Sequence, residues 1–163
     1  MKPNSTIKEK ALNPEERAAR PAIATTRELP SETKVEELDE RIVMALHAAG
    51  EKKALEIVVL DLRNIANFTD YFLIASGANE RQVQAISDEV VEKLKKSGTP
   101  AARVEGYRAA EWILMDYGDF IVHVFADKAR KFYDLERLWR EGKRVELPAE
   151  LKNEPVSSLR KES

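Results

Sequence analysis

Two short runs, Glu56-Ile57-Val58-Val59-Leu60-Asp61-Leu62 and Tyr71-Phe72-Leu73-Ile74-Ala75, constrain this chain more than any other feature. Both are rich in β-branched or aromatic residues and almost continuously apolar, so each reads as a strand covered on both faces. Strands of that kind need helices packed over their sheet. The Asn, Thr and Asp residues of the intervening segment 63–70 indicate a structured loop.

The helical segments supply those layers. Thr33-Lys34-Val35-Glu36 has the spacing of a capping box, and Val35, Leu38, Ile42, Leu46 and Ala49 recur on one helical face before Gly50 stops it. Asn79 is placed to cap a second helix, with Gln82 three positions on and Val83, Ile86, Val90 and Leu94 as its buried stripe. Gly98 and Pro100 end it. Strands are expected at 103–106, 111–116 and 120–125, the last two joined by Tyr117-Gly118-Asp119, where Gly118 supplies a positive φ. A final helix over 129–140 sets Phe132, Leu135, Leu138 and Trp139 at helical spacing, with Gly142 closing it. The expected fold class is α/β, a mixed sheet of about five strands flanked by helices, with a hairpin giving it an antiparallel part.

Outside that pattern the chain changes character. The first segment carries Pro3, Pro14, Pro21 and Pro30 among charges of both signs and few large apolar residues, and reads as a disordered extension over 1–33. Its scattered glutamates argue against a transit peptide. A polar stretch with Pro155 makes 148–163 a flexible tail, which leaves a folded domain over 34–147. Such a length supports a core without metal or cross-links, and the absence of cysteine removes disulfides, thiolate zinc sites and cysteine nucleophiles. No apolar run approaches the roughly 20 residues of a membrane span, and no signal peptide is visible. The expectation is a soluble, cytoplasmic protein. With 27 Lys and Arg against 29 Asp and Glu, no global positive field draws the chain to nucleic acid. The segment 127–144 holds seven basic residues against four acids. With no exposed aromatic interleaved, it reads as a solvated helix face rather than an RNA patch.

Candidate chemistries are thin. One glycine between strand and helix, at Gly77, lacks the spacing of a phosphate-binding loop, and an ordinary turn explains it. His47 and His123 have no partner at metal-ligand spacing, and His123, between Val122 and Val124, reads as a sheet histidine. Asp61, Asp70, Asp116 and Asp119 form no Asp-x-Asp pair that would set two carboxylates on one strand face. The expectation is therefore no enzyme, no metal and no cofactor. Trp112, Met115 and Tyr117 beside Asp116 and Asp119 have the composition that interfaces favour, a few aromatics and a flexible Met ringed by acids. From composition alone this block is either an interface or a structural turn.

The order of these features resembles the ribosomal silencing factors, the Iojap-related family. The matching blocks are Val59 to Arg63, Phe68-Thr69-Asp70-Tyr71 to Gly77, Glu105-Gly106, Glu111-Trp112 to Phe125, and Phe132-Tyr133-Asp134-Leu135-Glu136-Arg137-Leu138-Trp139. The resemblance covers about residues 35–145. The resemblance implies an α/β fold similar to nucleotidyltransferases without their catalytic acids. It implies binding to the large ribosomal subunit through ribosomal protein L-fourteen, exclusion of the small subunit, repressed translation in starvation or stationary phase, and self-association as a homodimer. No membrane and no sequence-specific nucleic acid is expected as a partner. On this reading Trp112, Met115 and Tyr117 are the anchors, and Asp70, Asp116 and Asp119 pair with basic groups of the partner.

Overall fold

A computed structural model describes residues 34–152, so the extension at 1–33 and most of the expected tail lie outside the described residues. A 3-10 turn at Val35–Glu37 precedes α1 (Glu40–Glu51). The helix thus starts later than the Thr33 pattern suggests. Its cap is Asp39, whose carboxylate accepts the Arg41 N–H at 2.8 Å. Beyond Gly50, α1 continues to Glu51, and Lys53 rather than a glycine takes the left-handed position at φ 65°. Then follow β1 (Leu55–Asp61), β2 (Tyr71–Gly77), α2 (Glu80–Lys96), β3 (Arg103–Glu105), β4 (Trp112–Asp116) and β5 (Phe120–Ala126). The chain continues through α3 (Asp127–Tyr133), α4 (Leu135–Leu138), β6 (Lys143–Arg144) and α5 (Ala149–Lys152).

The strands form one mixed sheet in the order β3-β4-β5-β2-β1-β6. Its central pair, β2 with β5, is parallel and runs in register from Tyr71 opposite Phe120 to Gly77 opposite Ala126. The other strand pairs of the sheet are antiparallel. Both central strands are buried along their whole length, as their apolar runs require. Helices cover both faces. On one side α1, α2 and α5 enclose Ile42, Leu46, Val83, Ile86, Leu73 and Val122, while on the other α3 and α4 close over Phe72, Trp112, Phe125, Leu135 and Trp139.

The sheet has six strands among the described residues. The sixth, β6, was invisible because Lys143-Arg144 is polar and only two residues long, yet it pairs Leu60 with Arg144 and Asp61 with Lys143. The single helix expected over 129–140 is also corrected. Asp134 sits at φ 50°, ψ 53°, and its N–H closes α3 on the Arg130 carbonyl before α4 begins. That break brings Glu136 back to Arg130, with Nε to Oε1 at 3.1 Å and Nη2 to Oε2 at 2.9 Å. In an unbroken helix residues six apart point apart. The break also leaves Phe132 outside the core, 75% exposed, while Leu135 and Trp139 stay buried. Leu151 of α5 packs in the core too, so packing continues past Leu147. No helix among the described residues is long and apolar enough to cross a membrane.

Candidate partner-binding edge at one end of the sheet

Trp112, Met115 and Tyr117 do not form a surface. Residues three apart on a strand face opposite ways, so Trp112 and Met115 enter different cores. Both have 0% exposure and Tyr117 has 7%, which corrects their expected role as anchors reaching a partner. The Trp112 indole N–H donates to His123 Nδ1 at 3.0 Å, and its ring lies 4.9 Å from Phe125 and 4.7 Å from Tyr133. Tyr117 stacks on Phe120 at 4.9 Å, and burial pushes its phenol up to about 12. These residues shape the β4–β5 hairpin from within.

The acids are different. The chain reverses at Gly118, with φ 85°, and the Asp116 carboxylate accepts the Gly118 N–H at 2.9 Å. Asp116 keeps only 18% of its side chain exposed, with Arg103 Nη2 3.4 Å away, whereas the Asp119 side chain is 68% exposed. The exposed Asp70 is brought alongside by two bonds between loop and turn: its N–H donates to the Asp119 carbonyl at 2.9 Å, and Thr69 Oγ1 donates to the Gly118 carbonyl at 2.9 Å. The structure therefore unites Asp70, Asp116 and Asp119 at one end of the sheet.

Sequence reasoning missed the residues that hold this edge. Arg41 binds Asp39 through two contacts, at 3.0 and 2.6 Å, and reaches Asp119 at 2.8 Å while lying 5.3 Å over the Phe120 ring. Arg63 repeats the device: it forks onto Asp61 at 3.0 and 2.8 Å and lies 5.4 Å over the Tyr71 ring. In both cases the aspartate also accepts the arginine's own N–H. A recurring Asp-x-Arg, at Asp39 and at Asp61, was the available signal. The Arg41 hydrogen bond holds the Asp39 carboxyl below its usual range, and both guanidinium groups are raised by their carboxylates.

As a chemical site the edge is limited. Asp61 and Asp116 end strands separated by β2 and β5, about 14 Å apart at ordinary strand spacing, too far to share one cation. No group of three or more His, Cys, Asp and Glu that could hold a metal occurs among the described residues. At Gly77 the helix N-terminus is satisfied internally: Asn79 Oδ1 accepts from Gln82 N–H at 2.9 Å and Gln82 Oε1 from Ala78 N–H at 2.7 Å. Gly77 itself packs closely, since a Cβ there would stand 3.0 Å from the Val83 nitrogen.

Comparison with known proteins gives this geometry its context. Residues 35–163 match the family model described as ribosomal silencing factor during starvation. A ribosomal silencing factor from Halalkalibacterium halodurans is 42% identical over 108 residues, covering 66% of this chain and 92% of that protein. A mouse protein named mitochondrial assembly of ribosomal large subunit protein 1 is 31% identical over 101 residues, covering 60% of this chain and 44% of that protein. A crystal structure of a Chromobacterium violaceum protein superposes with a TM-score of 0.62 at 33% identity, covering 69% of this chain and 91% of that one.

Proposed function

The chain belongs to the ribosomal silencing factor family, and from that premise we propose that it binds the large ribosomal subunit through ribosomal protein L-fourteen, blocks joining of the small subunit, and represses translation in starvation or stationary phase. The observation that carries the proposal is the match along the described domain. The mouse relative's name, which refers to large-subunit assembly, supports the choice of subunit. The chain's own contribution is the acidic edge, where Asp70 and Asp119 are exposed on a frame tied by Thr69 and Arg41. Exposed acids on a fixed frame select a basic partner and steer its approach.

Inhibition of this kind needs no chemistry. A domain standing on the joining face excludes the other subunit by volume, so occupancy alone sets the effect, and neither nucleotide nor Mg²⁺ takes part. A standard interface of about 1,600 Å² in total is sufficient for such a complex. Cytoplasmic residence and self-association as a homodimer belong to the same proposal.

Gradient sedimentation of a lysate with and without added chain tests it. The expected result is chain travelling with free large subunits, and fewer joined ribosomes. Chain that stays at the top of the gradient, or travels with small subunits alone, sinks the proposal. Pull-down on isolated protein L-fourteen tests the finer assignment.

A further inference from the structure

Phe132 is the most exposed large hydrophobic side chain of the described domain, at 75% against 41% for Val104 and 39% for Tyr107. A lone exposed apolar residue is ordinary. This one has unusual neighbours. On α3, Lys128 and Lys131 stand four and one residues before it, and all three are exposed on the face turned away from buried Arg130. Tyr133 meets the Phe132 ring edge-on at 5.0 Å.

Charge on this flank runs against the rest of the molecule. Residues 127–144 carry seven basic residues against four acids, and the remainder of the chain carries 20 against 25. Two of the four local acids are held in ion pairs within the fold. Both Glu136 oxygens are held by Arg130, and Asp127 pairs with Lys131 at 3.3 Å. Lys128, Arg137 and Arg140 are exposed and form no ion pair with a described acid.

We infer that α3 and α4 present a binding surface for single-stranded or looped RNA, with a base stacked on Phe132 and phosphates held by Lys128, Lys131 and the neighbouring arginines. Cations without an aromatic fit any polyanion, but an exposed ring beside two lysines fits an unstacked base. Stacking on a ring face tolerates every base, so recognition is independent of sequence. The inference deepens the ribosomal reading and rests on it only for the source of the RNA.

The test uses the full chain and a labelled single-stranded RNA of about 12 nucleotides and mixed sequence, followed by fluorescence anisotropy. Phe132→Ala is expected to weaken binding about tenfold, and Phe132→Trp to preserve it. Lys128→Gln and Lys131→Gln should each lower the slope of log affinity against log salt by about 0.7, measured between about 50 and 200 mM. Polyglutamate is the rival polyanion. Displacement of RNA by an equal charge of polyglutamate, or parental affinity in Phe132→Ala, overturns the inference. Sedimentation with large subunits is run beside it. Failed RNA binding with intact sedimentation removes only this inference, and the reverse result removes only the ribosomal reading.

Discussion

His123 shows what a single side chain does in this fold. Its Nδ1 accepts from Trp112, so Nε2 carries the proton, and that atom has no hydrogen-bond partner among the described residues. The ring lies edge-on to Phe72 at 4.4 Å. Burial lowers its pKa from 6.5 to about 3, so the folded protein keeps it neutral while the unfolded chain protonates it near 6.5. Because the unfolded state binds more protons in that window, stability is complete above pH 6.5 and falls as pH drops towards 3, by at most about 1.4 kcal/mol per unit. Urea denaturation at successive pH values should show this slope in the parent and a shallower one in His123→Leu. Trp112→Ala is expected to cost about 3–5 kcal/mol in the same measurement, so lost ribosome binding by that variant reports unfolding. His123 was legible as a sheet histidine from its apolar neighbours. The burial of Trp112, Met115 and Tyr117 was also legible, but only by applying the two-residue alternation of a strand, which overrides their interface-like composition.

At the scale of elements, the β4–β5 hairpin and the broken final helix show where local pattern succeeds and where it fails. Gly118 announced its turn because only glycine takes φ 85° without strain, and Gly118→Ala should lower stability by about 1–2 kcal/mol by thermal or urea unfolding. The same substitution should disturb the backbone carbonyl that receives Thr69, loosening the loop that carries Asp70. An unchanged midpoint would show the turn tolerating a side chain there. Asp134 gave no comparable signal, since leucine and aromatic spacing continues across it while the backbone reverses hand. The gain that stabilises this reversal, the Arg130–Glu136 fork, depends on a contact between two helices and has no local periodicity. Strand β6 was hidden for a related reason: its pairing with β1 is tertiary, and its composition is that of a loop.

The described domain is electrically two-ended. Asp119 immediately precedes β5 and Lys128 lies two residues beyond its end, so the acidic edge and the basic flank are separated by the length of that strand, about 20 Å. Replacing Asp70 and Asp119 together by Lys is expected to reduce large-subunit binding about tenfold at low salt. The loss should shrink as salt rises, because exposed charges are screened. A folded double variant that sediments as the parent does would remove the acids from the contact. Apart from β6 and the break at Asp134, the order of the main strands and helices was readable from hydrophobic period, whereas this polarity was not, because it depends on which charges neutralise one another after folding.

The parallel β2–β5 ladder has a further consequence during synthesis. The sheet's centre joins residue 71 to residue 120 and residue 77 to residue 126, so the middle of the molecule closes only after most of the chain is made. Until β5 has left the exit tunnel, β2 lacks one neighbour and the acidic edge lacks Asp119. On the proposed function, a growing chain therefore has no complete acidic edge to turn on the ribosome that is making it.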